Sequence, residues 1–121
     1  MRIYFNPDCS KSRAARTLLE DAGHTPTIVD YQAQPPDRHA LEHLIDTLDD
    51  APSALLRTND AAFAAYRDPN RVLDRDRVIE ILLAAPELMQ RPVLEHDDRT
   101  LIARPPERVF EHVSRCTDTQ A

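Results

Sequence analysis

Cys9 lies in the stretch Phe5-Asn6-Pro7-Asp8-Cys9-Ser10-Lys11-Ser12-Arg13, between a short apolar run, Ile3-Tyr4-Phe5, and a helical pattern beginning near Lys11. That order predicts a strand-to-helix loop, with the thiol at or just before the first helical turn. Backbone N–H groups lack partners there, and the helix dipole is positive. Both favour the thiolate, the form of cysteine that reacts. The residue types therefore point to a nucleophilic thiol.

The neighbours of Cys9 define what kind of thiol site this is. Position 12, three after Cys9, is serine, so no Cys-x-x-Cys exists and the loop carries one thiol. The second cysteine, Cys116, stands in a polar tail from Ser114 to Ala121 and is expected to be a bystander. Ser10 and Ser12 are candidates to cap the helix, or to offer backbone N–H groups to an oxyanion; Asn6 ranks with them. Lys11 and Arg13 add positive charge, whereas Asp8 is expected to push the thiol pKa up. Gly23 is the only glycine, which excludes Gly-rich phosphate loops. An anion would have to be held by side chains and helix ends. His39 and His43 share helical i, i+4 spacing, but without a His-Glu-x-x-His pattern they are read as solvent-facing, and no metal or bound cofactor is expected.

Composition narrows the class. A net charge of −6 over 121 residues argues against a general nucleic-acid binder. No apolar run is long enough to span a membrane, and Met1 leads directly into a strand signal. The expected compartment is the cytoplasm.

The elements that must position Cys9 follow from periodicity. Residues 2–5 read as a strand. Ala15, Leu18, Leu19 and Ala22 recur at helical spacing up to a stop at Gly23, and Thr27 to Tyr31 are a second, β-branched strand. This β-α-β unit implies parallel strands. Asp37 is placed to cap a helix with the stripe Leu41, Leu44, Ile45 and Leu48. From about 52 to 86 the pattern is helical but broken: a turn at Ala54 to Leu56, a short helix from Ala61 to Tyr66, and a helix capped by Asp74 burying Val78, Ile79, Leu82 and Leu83. Arg91 to Glu95 and Thr100 to Ala103 read as a hairpin, and Pro105-Pro106 opens a last helix packing Val109, Phe110 and Val113 on the sheet. The expectation is a single α/β domain over 1–121. It has a four-stranded mixed sheet flanked by helices, in the thioredoxin-like manner, with the helical insertion between the β-α-β and β-β-α halves.

Several segments, in order, carry a resemblance: Asn6 to Arg13, Pro35-Pro36, Leu55-Leu56-Arg57, Pro86 to Val93 (Pro-Glu-Leu-Met-Gln-Arg-Pro-Val), and Arg104-Pro105-Pro106. Together they resemble the glutathione- and glutaredoxin-coupled arsenate reductases of the thioredoxin-like superfamily, which are related to Spx-type regulators. The resemblance implies that Cys9 is the nucleophile, that Arg57, Arg91 and Arg104 hold the oxyanion, and that Pro92 is a cis-proline beside the cysteine. It also implies arsenate as substrate, glutathione as co-substrate and glutaredoxin as partner. The chemistry agrees, because planar guanidinium forks suit a tetrahedral oxyanion and offset its repulsion by a thiolate. Nothing but the resemblance selects these three among 14 arginines. One departure stands out: members of the family carry a histidine four residues before the cysteine, where this chain has Phe5.

Two other readings stay open at this point. One is a glutathione-dependent thiol/disulfide reductase in which the arginines hold glutathione carboxylates. The other is a non-enzymatic Spx-like regulator, whose family uses a Cys-x-x-Cys switch.

Overall fold

A computed structural model describes residues 1–113, so Cys116 lies outside the described residues. Four strands form one sheet: β1 (Arg2–Phe5), β2 (Thr27–Asp30), β3 (Val93–His96) and β4 (Arg99–Ile102), in the order β2-β1-β3-β4. β1 runs parallel to β2 and antiparallel to β3, and β3 pairs antiparallel with β4. This is the thioredoxin-like arrangement that the element order implied.

Alternation along the strands divides the core in two. Ile3, Phe5, Leu94 and Leu101 pack against α1 (Ser10–Asp21) and a C-terminal 3-10 helix, Pro106–Glu111, which supplies Val109. Tyr4, Val93 and Ile102 face the other way. They meet α2 (Arg38–Thr47), α3 (Arg75–Ala84) and short 3-10 helices at Pro52–Leu55, Ala61–Tyr66 and Pro86–Leu88.

Local chemistry sets the element ends. Asp37 and Asp74 cap α2 and α3 by accepting from Ala40 N and Arg77 N, and Asp60 caps the 61–66 turn by accepting from Ala62 N. Gly23 takes a positive φ of 89° just past α1, the conformation that favours glycine there. The hairpin turns at Asp97, φ 54°. Two expectations need correction. Leu83 is 41% exposed while Ile81 is buried, because the buried arc of α3 centres on Val78 and Leu82 and leaves Leu83 at its rim. The last helix is a 3-10 turn rather than a regular helix, although Val109 and Val113 are buried as expected.

Candidate active site

The site is built one step beyond the last paired residues of the strands. The register pairs Phe5 with Asp30, Tyr4 with Val93, and Val93 with Ile102. Continued by one or two residues, it lines up Tyr31, Asn6, Arg91 and Arg104 across the sheet. Strand alternation gives that row the same face as Tyr4, Val29, Val93 and Ile102, the face covered by α2, α3 and the 3-10 helices. Arg57 comes from that covering layer. Its backbone N–H donates to Leu88 O at 2.8 Å, and Gln90 N donates to Leu55 O at 2.8 Å, which ties the 52–57 segment to the approach to β3.

The Cys9 loop closes over the same end. Cys9 is the N-cap of α1, with extended backbone and no side-chain capping hydrogen bond. Ser10 and Ser12 are therefore not the cap. Ser10 is the first helical residue and is exposed, whereas Ser12 is fully buried and its Oγ accepts from Asn6 N at 3.2 Å. The Asn6 side chain accepts from Asp8 N at 2.9 Å, and its carbonyl accepts from Cys9 N at 2.9 Å. Asn6 and Ser12 thus hold the loop that presents the thiol. Serine at position 12 does structural work where a second thiol would otherwise stand. Arg13 is exposed and donates to Pro7 O at 2.7 Å, and Lys11 is exposed as well.

Burial pushes the Cys9 thiol up. The Ser12 backbone and hydroxyl, the Arg91 guanidinium and the Lys11 backbone each favour the thiolate; together they outweigh that cost and bring it from 9.0 to about 7. Asp8, which is exposed, is not among these larger influences. Half or so of the thiol is then ionised at neutral pH. Phe5, where the family histidine was expected, is buried and packs on the α1 side of the sheet, so it offers the thiol no proton donor.

The arginines converge unequally. Burial works against the charge of Arg91, but the influence of Tyr31 and Cys9 outweighs it and raises the Arg91 pKa. Its Nε is buried and has no hydrogen-bond partner. Arg104 is exposed and donates through Nη1 to Arg91 O at 2.9 Å. Arg57 pairs with Asp60 at 3.3 Å. Arg57 and Arg104 share the lining of a polar cavity of about 210 Å³ with Thr58, Asn59, Asp60 and Gln90. Pro92 is buried, and both the Arg91–Pro92 and Arg104–Pro105 bonds are cis.

A thiolate-competent cysteine with a guanidinium on it, and two more arginines in the adjacent cavity, suits attack on an oxyanion. A model of the ArsC family matches residues 4–112. The chain belongs to the ArsC family. Relatives of this ArsC-family chain include the uncharacterized protein YfgD of Escherichia coli (strain K12), 32% identical over 93% of this chain and 96% of the relative. An arsenate reductase of Neisseria meningitidis serogroup A is 32% identical over 90% of this chain and 94% of its own. A solved structure described as an arsenate reductase from Vibrio cholerae superposes with a TM-score of 0.83 at 29% identity, covering 91% of this chain and 94% of that one.

His39 and His43, singled out by spacing, lie elsewhere: both line a cavity of about 450 Å³ with Met1, Arg2, Tyr4 and Glu95, and His43 Nε2 meets Glu95 at 3.1 Å. Among the described residues no group of three or more His, Cys, Asp or Glu side chains could hold a metal. The residue that sequence reasoning missed is Tyr31. It reads as the aromatic end of a strand, yet it is fully buried, its hydroxyl donates to Met89 O, and Arg91 acts on it. The available signal was its place one residue past β2, in the row that holds Asn6.

Proposed function

We propose that this ArsC-family protein reduces arsenate to arsenite through Cys9, with glutathione and glutaredoxin as reductants. The observation that carries the reading is a Cys9 thiol brought down to about 7, with Arg91 among the groups that favour its thiolate, beside a cavity lined by Arg57 and Arg104. The Cys9 thiolate attacks arsenic, forming a sulfur–arsenic bond as water leaves. The three guanidiniums offset the charge of the oxyanion and of the oxygen being expelled. Glutathione adds to arsenic with loss of a second water. A glutaredoxin thiolate then attacks the glutathione sulfur. The sulfur–arsenic electron pair stays on arsenic, which becomes As(III), and a glutaredoxin–glutathione disulfide forms. Hydrolysis of the remaining bond releases arsenite and returns the Cys9 thiol. One protein thiol suffices because the other two come from outside, and a reducing cytoplasm would keep Cys9 ready. No helix among the described residues is long and apolar enough to cross a membrane.

The deciding experiment follows arsenate-dependent NADPH oxidation with glutathione, glutaredoxin and glutathione reductase present. Cys9→Ser is expected to abolish it; undiminished turnover in that variant would refute the assignment.

One observation favours a second reading, a glutathione-dependent thiol/disulfide reductase. Asp60 places a carboxylate inside the cavity, 3.3 Å from Arg57. A ligand carrying an ammonium group as well as carboxylates, as glutathione does, would satisfy that mixture better than a bare oxyanion. Turnover of a glutathione mixed disulfide, with no arsenate turnover, would select it.

A further inference from the structure

We propose that Tyr31 is a positioning residue for Arg91, holding its guanidinium against the Cys9 sulfur. The inference rests on the reading of Cys9 as the reacting thiol, but not on arsenate as its target.

These observations carry it. Tyr31 is fully buried, so its hydroxyl must find partners within the protein. Its hydroxyl donates to Met89 O at 3.4 Å, and the Arg91 guanidinium, on the same face of the sheet, works against the upward push that burial gives the phenol pKa. The same Arg91 side chain favours the Cys9 thiolate, so one guanidinium bears on both a phenol and a thiol. Its Nε has no partner, and no carboxylate pairs with it among the described residues; Tyr31 and Cys9 are what orient it. The groups bearing on Tyr31 are Arg91, Arg57 and Cys9, which puts the hydroxyl inside the charge network of the site rather than in a separate part of the core.

An arginine has a long side chain with many rotamers, and it loses them only when anchored. Met89 and Arg91 both lie just before β3, and the Tyr31 hydroxyl ties that approach to the end of β2 through Met89 O. Phe5 leaves no histidine to influence the thiol from the strand before it. In this chain, setting the Cys9 charge therefore falls to Arg91 and the loop N–H groups, with the phenol as the anchor.

The test is the apparent pKa of Cys9, read from the pH dependence of its alkylation by iodoacetamide. Tyr31→Phe keeps the ring and removes the hydroxyl. It is expected to raise the Cys9 pKa by about one unit, which at pH 7 is about a fivefold fall in thiolate and in alkylation rate. In an Arg91→Ala background the same substitution is expected to move the pKa no further, which is the signature of action through Arg91. An unmoved pKa in a folded Tyr31→Phe protein would overturn the proposal, as would an equal shift with and without Arg91. If Tyr31→Phe does not fold, the unmutated protein still decides. The Tyr31 ring carbon bearing the hydroxyl, followed by carbon-13 NMR, should show an inflection at the Cys9 pKa that vanishes in Cys9→Ser; its absence would refute the link. None of these measurements uses arsenate. Loss of arsenate turnover together with an intact Tyr31 effect would therefore count against the proposed substrate alone.

Discussion

The arginines of this chain live in two electrostatic settings. Away from Cys9 many are neutralised by carboxylates. Arg75 forks onto Asp46 at 2.7 and 3.0 Å, Arg108 meets Glu111 at 3.1 Å, Arg99 meets Asp49 at 3.3 Å, and Arg2 meets Glu95 at 3.0 Å. At the Cys9 end, Arg91 and Arg104 have no carboxylate partner among the described residues, and Arg104 is held by a backbone carbonyl. A chain with a net charge of −6 has carboxylates to spare, yet two neighbouring guanidiniums are left without one. Uncancelled positive charge of that kind is what an anionic reactant needs. Arg57 stands between the settings, sharing the cavity with Arg104 while paired with Asp60.

Substitutions at the two ends should therefore behave differently. On the proposed arsenate reading, Arg91→Ala is expected to cost the most, on the order of 100-fold in kcat/KM for arsenate, because it would remove both a stabiliser of the expelled oxygen and a group that favours the Cys9 thiolate. Steady-state kinetics together with the alkylation pKa would check it, and a loss under threefold would break the contrast. Next comes pH. The thiol pKa is depressed from 9.0 to about 7, so thiolate is lost as pH falls through 7. Below that point alkylation should drop about tenfold per pH unit, and between 8 and 9 it should be nearly flat. An inflection near 9 would mean that Arg91 and the loop do not act on the sulfur. Asp60→Asn keeps a side chain able to cap the 61–66 turn and frees Arg57, so sulfate or arsenate should bind about three- to fivefold tighter by calorimetry. Unchanged or weaker binding would show that the ion pair helps shape the cavity rather than competing for it. The smallest effect belongs to Arg75→Ala at the far setting, which should leave both kcat/KM and the Cys9 pKa unmoved.

How far the sequence shows this site depends on which face of the sheet is considered. The α1 face is regular, and the positions of β1, α1, Gly23 and Cys9 follow from periodicity and helix-end chemistry. The opposite face is covered by α3 and short 3-10 helices, whose weak period leaves both the exposure of Leu83 and the placement of Arg57 undetermined. Arg57, Arg91 and Arg104 are distant in sequence and ordinary in type, so only family likeness picks them out. Ser12 and Tyr31 were hidden for a different reason. A serine at a helix start reads as a cap and a tyrosine at a strand end reads as β-propensity, and each ordinary explanation masks a buried hydrogen bond.

The β3–β4 hairpin has a consequence for how this site can vary. Val93 pairs with Ile102, Ala103 N donates to Pro92 O at 2.9 Å, and just past these the Arg104 side chain reaches Arg91 O, so the hairpin brings the two arginines together at its open end. Their separation is gauged by strand pairing, not by the length of chain between them. Residues added at the Asp97-Asp98 tip, beyond all four pairs of β3 and β4, would leave the gauge untouched. A one-residue slip of β4 against β3 would turn Arg104 to the other face of the sheet. The hairpin is a ruler for two charges, and its zero mark lies at the end nearest the sulfur.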